Sequence, residues 1–222
     1  MPAIVIDPGH GGTTKVGGSS PNNATGPNGT LEKALTLDVA MRAATVLGDA
    51  GDFVWLTRDS DTNLSLSDRA AAGKDRKADV FVSVHFNAST GHNAQGTETL
   101  IDVDWSPGSD RLASCIQGKV QSVVGSRDRG VKTRGDLGIL HPEQHLSTTA
   151  VALVEVSFLD REDEEARLQG DAYKQRIANA IAEGIQLYLH SPDEWGTPAY
   201  EPARSFWSRV KGWFRSREAG DL

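Results

Sequence analysis

The sequence predicts an α/β fold, a single domain with a twisted, largely parallel central sheet flanked by helices, and three observations predict it. Short runs rich in β-branched and apolar residues recur at residues 3–6, 79–86 (DVFVSVHF) and 150–158 (AVALVEVSF). Segments with apolar residues near every third or fourth position stand between them. The chain has 222 residues, 38% of them hydrophobic, enough to build one full core. Strands alternating with helices imply βαβ crossovers and therefore parallel strand pairing.

Taken in order, residues 3–6 form a buried strand that Asp7-Pro8-Gly9-His10-Gly11-Gly12 stops, because Pro and Gly break the ladder and let the backbone turn sharply. Residues 11–29, rich in Gly, Asn, Pro and Thr, read as a surface loop. Thr30 is expected to cap the first crossover helix, whose stripe runs through Leu31, Leu35, Val39, Ala43 and Val46 and ends at Gly51. Residues 53–57 read as the second strand, 66–74 as part of a second helix, and 79–86 as a strongly apolar third strand. Residues 96–103 continue as a strand, 109–124 as a helix, 138–140 as a short extended piece and 150–158 as a core strand. Asp171 is expected to cap the last helix, in which Tyr173, Ile177, Ile181, Ile185 and Tyr188 recur nearly every fourth residue. Beyond it the composition changes. Pro192, Gly196, Pro198 and Pro202 mark a linker, so the expected organisation is a domain over 1–190, a linker over 191–202 and a tail over 203–222.

Charge and cysteine usage exclude several classes of function. A formal net charge of -7 and a pI near 5.3 argue against a nucleic-acid partner, which needs a basic footprint. The charge is uneven: residues 200–222 carry five basic and three acidic side chains, so that stretch is +2 and the remainder -9. Residues 203–217 place Phe206, Trp207, Val210, Trp213 and Phe214 on one helical face with Arg and Lys opposite, a pattern suited to an anionic membrane surface or acidic wall polymer, or to docking on the domain itself. The one cysteine, Cys115, permits no intramolecular disulfide and no Cys-based metal site, and its apolar periodic neighbours predict a buried, inert thiol. The chain enters a strand at once, with no basic and apolar leader ahead of it.

Four polar residues sit where their surroundings do not ask for them. His10 follows a strand, Glu32 falls in the first turn of a helix, and His85 lies near the end of an apolar strand. Two imidazoles and a carboxylate make a catalytic zinc set with one position open for water. Singly, each has a plainer explanation: a hydrogen-bonded structural histidine, a helix-dipole glutamate, a satisfied core histidine. What distinguishes them is that strand ends of an open α/β sheet gather at one carboxyl edge, where such folds bind ligands. Glu155 interrupts the apolar run 151–158, and a carboxylate there costs several kcal/mol unless a cation or hydrogen bonds offset it. A nearby metal is one solution and an ion pair with a residue such as Arg134 is the other. His92, His141 and His145 fall in predicted loops and are expected to be exposed, and His190 ends a helix, where a cation is favoured.

The ordered segments IDPGHGG, LEKALTLDVA, WLTRD, ADVFVSVHFNAS, GTETL, RGVK and ALVEVSFLDREDEE resemble the catalytic domain of the zinc-dependent N-acetylmuramoyl-L-alanine amidases of the amidase-3 type, over roughly residues 3–189. The resemblance implies that His10, Glu32 and His85 hold one Zn²⁺ per chain and that Glu155 is the catalytic glutamate. Asn87 matches a recurrent polar residue beside the second histidine. Two positions depart from the family pattern: Phe86 stands where alanine or glycine is usual, and Ser157 where glycine is usual. The implied reaction is hydrolysis of the lactyl amide joining N-acetylmuramic acid to L-alanine, with water activated by zinc and Glu155 moving the proton. The implied substrate is peptidoglycan, met in the periplasm or cell wall by a monomer. Some periplasmic relatives insert an autoinhibitory helix after the second histidine. The segment from His85 to Ser109 predicts none, so that form of restraint is not expected here. The missing leader fits a phage-type lysin, an effector exported by another route, or a secreted parent shortened at its amino end. A zinc peptidase or deacetylase acting on another acyl bond, and a non-catalytic wall-binding module, are the competing expectations.

Overall fold

The computed structural model describes residues 1–190; the linker and tail expected over 191–222 lie outside the described residues. The sheet contains β1 (Ala3–Pro8), β2 (Phe53–Leu56), β3 (Val80–Asn87), β4 (Thr97–Ile101), β5 (Asp128–Thr133) and β6 (Ala150–Phe158), in the order β2-β1-β3-β6-β4-β5. Every pairing is parallel except β4 with β6, as the alternation of strands and helices predicts. The helices are α1 (Glu32–Asp49), α2 (Leu66–Asp75), α3 (Pro107–Val124), α4 (Glu162–Leu168) and α5 (Asp171–His190). None of them is long and apolar enough to cross a membrane.

The two-residue period of the strands divides the core. Ile4 and Ile6 of β1, Val80, Val82 and Val84 of β3, and Val154 and Val156 of β6 point into a large apolar layer with α1, α3 and α5. Val5, Phe81, Val151 and Leu153 point the other way, into a smaller layer with α2 and Ile139 and Leu140. By the same parity His85 and Glu155 belong to this second, thinly covered side of the sheet, directly opposite each other in register. One step further, between His85 and Asn87, the β3–β6 register shifts. Such bulges commonly re-aim side chains beside functional sites.

Several elements depart from the sequence-based expectation. Thr30 does not cap α1: Leu31 occupies the cap position with no side-chain hydrogen bond, while the Thr30 N–H donates to Glu165 and its hydroxyl accepts from Gln169. Residues 138–140 form a short 3₁₀ turn rather than an extended piece. Asp171 is the first residue of α5, pairing with Arg42 and Lys174. Strand β5, DRGVKT, has no apolar alternation because it is a polar edge, and α4 is seven residues with four acidic ones in its first turn. His145 is buried against Phe81, its Nε2 2.7 Å from the Ile139 carbonyl, contrary to its expected exposure. Burial lowers its pKa and keeps the ring neutral. Cys115 is half-buried on α3, and burial pushes its thiol pKa up.

Candidate metal centre

The chain reverses direction across the sheet at β1: β2 lies on one side of it and β3 on the other. That switch point leaves a crevice at the carboxyl ends of β1 and β3, the usual ligand position in open α/β sheets. His10 sits just past β1 and His85 near the end of β3, and α1 begins beside them with Glu32. These three donors lie within 4.8 Å of one another, the one such group of potential metal ligands among the described residues.

A tight backbone makes this meeting possible. Gly9 passes so close to His85 that a Cβ would lie 2.3 Å from the imidazole. His10 has φ 61°, a left-handed conformation that non-glycine residues rarely adopt. Two arginines hold the turn in that shape. Arg69, 1% exposed, donates to the Asp7 carboxylate and to the carbonyls of Pro8 and His10. Arg58 donates to the carbonyls of Pro8, Gly9 and Lys33. Strain concentrated at a candidate ligand and over-determined by buried hydrogen bonds is what a pre-organised site requires.

Hydrogen bonds also set the direction of each donor. His10 Nδ1 is 3.0 Å from both the carbonyl and the hydroxyl of Ser20. A carbonyl only accepts, so the contact favours a proton on Nδ1 and a lone pair on Nε2. Nε2 is buried with no hydrogen bond and faces Glu32 Oε1 at 3.2 Å. The same oxygen is 3.0 Å from His85 Nδ1 and accepts from the Phe86 N–H at 3.1 Å, while Oε2 accepts from the Ala24 N–H at 2.8 Å. Two acceptors converging on one buried point need a cation between them, either a proton or a metal ion. Electrostatics agree. Burial alone would raise the Glu32 pKa, but the two imidazoles beside the carboxylate outweigh it and hold it at about 2. Burial lowers the His10 pKa, but Glu32 raises it by more.

Glu155 stands across from His85 on β6, its Oε2 buried without a hydrogen-bond partner among the described residues. Its pKa is raised well above the usual carboxylate range, first by burial and then by the negative charges of Glu32 and Glu98. Arg134 lowers it only from a distance, because the guanidinium is engaged by Asp136 at 2.6 and 2.7 Å. The ion-pair explanation for Glu155 is therefore not what the structure contains. Asn87 reaches Glu98 at 3.0 Å, and Glu98 also pairs with Arg129 and Lys132, forming a polar cluster beside Glu155. Phe86 is buried in the large core. Ser157 is buried with an unpartnered hydroxyl.

Of the remaining histidines, His92 is exposed beside Asp160 and His141 lies near Asp102, and neither joins the triad. Glu98, Asp7, Arg58 and Arg69 went unnoticed as supports of the site in the sequence alone. Glu98, Asp7 and Arg58 carry one signal, a charged residue in or beside a strand-like segment, as in WLTRD and GTETL, whereas Arg69 lies in α2 and carries none.

A family model described as N-acetylmuramoyl-L-alanine amidase matches residues 4–187. The N-acetylmuramoyl-L-alanine amidase LytC of Bacillus subtilis is 37% identical over 186 residues, covering 83% of this chain, and the chain spans only 35% of that relative's length. An endolysin of Bacillus phage SPP1 is 34% identical over 200 residues, 88% of this chain and 69% of the phage protein. A crystal structure of an N-acetylmuramoyl-L-alanine amidase from Clostridium difficile 630 superposes with a TM-score of 0.77 at 31% identity, covering 86% of this chain and 98% of that one. The matched span takes in all six strands but for the first residue of β1 and all four residues of the constellation, and the chain belongs to the N-acetylmuramoyl-L-alanine amidase family.

Proposed function

We propose that this chain is a zinc-dependent peptidoglycan hydrolase that cleaves the amide between the lactyl group of N-acetylmuramic acid and L-alanine, acting in the cell wall or periplasm. The observation that carries the proposal is the convergence of His10, Glu32 and His85 on one buried point, with Glu155 across from His85 and its Oε2 without a hydrogen-bond partner among the described residues. Family membership supplies the substrate.

His10, Glu32 and His85 would hold the ion as a two-histidine, one-carboxylate set, the donor chemistry of a catalytic zinc site with an open position. Bound there, zinc would polarise the amide carbonyl and lower the pKa of water from about 15.7 toward about 7. Ser20 and the Phe86 and Ala24 amides keep His10 and Glu32 aimed, which matters because such outer partners set ligand orientation and basicity. Glu155 takes a proton from the attacking water and returns it to the departing L-alanine amine, which leaves poorly as an anion. A carboxyl with a raised pKa is a stronger base when ionised, while its protonated form remains acidic enough to protonate a departing amine.

The test is hydrolysis of purified peptidoglycan by wild type and Glu155→Ala, with zinc content measured in both. Glu155→Ala is expected to keep about one zinc per chain and to lose roughly 10²–10⁴-fold in rate, the range for removing a general acid–base group. Wild type should release peptides with free L-alanine amino termini. A different new terminus would point to a peptidase or deacetylase, and an active Glu155→Ala would refute the role given to this residue.

A further inference from the structure

We propose that Glu165 of α4 is a positioning residue for the metal site, acting through the loop at residues 12–30 that grips both His10 and Glu32. The inference rests on the metal-binding reading of the triad given above. Glu165 is 1% exposed and takes no part in the triad. Its Oε2 accepts from the backbone N–H of Asn28 at 2.7 Å and from the Asn28 side chain at 3.0 Å, and its Oε1 accepts from the backbone N–H of Thr30 at 3.0 Å. The loop backbone wraps this carboxylate closely. A Cβ on Gly26 would lie 2.3 Å from it, so only glycine fits there without displacing one or the other. Charge-assisted bonds of this kind are the strong ones, and three N–H groups converge on a single buried anion.

The hydrogen-bonded path from this clasp to the metal ligands is short. The Gly26 N–H donates to the Thr30 carbonyl at 2.8 Å, and a β-bridge joins Thr25 to Leu31. Ala24 next exchanges two bonds with Glu32: its N–H donates to Oε2 at 2.8 Å, and its carbonyl accepts from the Glu32 N–H at 3.1 Å. Further along, Pro21 accepts from the Gly11 N–H at 3.0 Å and Ser20 meets His10 Nδ1. The loop thus orients one oxygen of the carboxylate ligand and the tautomer of one imidazole. Apart from its isolated bridges it contains no strand or helix of its own, so its shape depends on side-chain anchors. Asn63 and Lys33 anchor the near part, at Thr14, Ser19 and Gly12. At the far part Glu165 takes the two backbone amides and Gln169 adds one bond to the Thr30 hydroxyl. A ligand set tolerates only about 0.5 Å of looseness, so releasing the far anchor is expected to register at the metal.

The experiment compares full-length wild type, Glu165→Gln and Gly26→Ala, the last opening the clasp from the loop side with Glu165 intact. Zinc affinity is measured by competition with a fluorescent chelator, and hydrogen exchange of the Ala24 amide is followed in the zinc-free proteins. Both variants are expected to bind zinc roughly 10–100-fold more weakly, the range for losing an outer-shell partner. The Ala24 amide should exchange faster while amides of β3 and β6 keep their protection. Wild-type zinc affinity with unchanged Ala24 exchange in the folded variants overturns the proposal, and so does a uniform loss of protection across the sheet, which marks a purely structural role. If either variant fails to fold, Asn28→Ala removes one donor alone and is read the same way. If wild type itself takes up no zinc, the functional proposal fails, and Ala24 exchange in Glu165→Gln still decides the clasp.

Discussion

At the scale of single residues, the pair formed by Asp7 and Arg69 shows how much of the site depends on groups that never face the substrate. Both side chains are buried, 2.8 Å apart, at the turn that carries His10. Burial would raise the Asp7 pKa. The Arg69 charge and hydrogen bonds from Ser83 and Thr57 outweigh that and hold the carboxyl below its usual range. Asp7 therefore contributes stability in full above its unfolded value of about 3.9, and the contribution is lost as pH falls through the lower folded value. Arg69→Met leaves that carboxylate buried without its cation and is expected to cost about 3–5 kcal/mol. With the partner gone the Asp7 pKa rises, so protonating Asp7 relieves the buried charge and the cost of Arg69→Met should shrink as pH falls, leaving the variant with a shallower acid limb than wild type. Denaturant titrations of both proteins from pH 3 to 8 check both statements, and identical acid limbs would contradict them. At this scale the sequence disclosed the donors but not their supports. His10, Glu32, His85 and Glu155 are out of place against apolar neighbours, whereas an arginine such as Arg69 reads as one more polar residue of a helix until the fold buries it.

At the scale of elements, the long apolar strands and helices were legible because their periods are strong, and the failures fell where local pattern is weak. Strand β5 has few apolar side chains to alternate, and α4 is too short for a helical stripe. Thr30 looks like a cap in sequence, but its N–H and hydroxyl are taken by α4 and the residue after it, a competition no local rule can see. Helix packing makes its own prediction. Gly184 of α5 crosses α3 so closely that a Cβ would lie 2.7 Å from Ile116 Cα and 3.1 Å from the Cys115 carbonyl oxygen. Gly184→Ala gains about 1 kcal/mol in helix propensity. Parting two packed helices costs about 1–3 kcal/mol. Because the obstructing atoms are backbone, which cannot swing aside, the net effect is expected to be destabilising. A higher midpoint in urea for Gly184→Ala than for wild type would show that the helices part more easily than this.

At the scale of the whole molecule, a metal ion that binds only the folded state links function to stability. Zinc at 100 times its Kd is expected to stabilise the protein by about 2.7 kcal/mol. For a domain of this size that is roughly 5–10 °C in Tm. Differential scanning calorimetry with zinc and with excess chelator tests it, and superimposable transitions would count against a site built from His10, Glu32 and His85. The sequence by itself determined the fold class, the main strands in their succession along the chain and the presence of four polar residues out of place among apolar neighbours, since periodicity and the cost of burying polar groups are local properties written along the chain. Only the tertiary structure decided that β4 runs antiparallel beside β6, that Glu98 with its cations stands next to Glu155, and that Glu165 clasps the loop behind Glu32. Each of these joins residues distant in sequence, Asn28 and Glu165 being 137 positions apart. Such contacts form because closing the sheet brings their elements together, and no local pattern records which elements will meet.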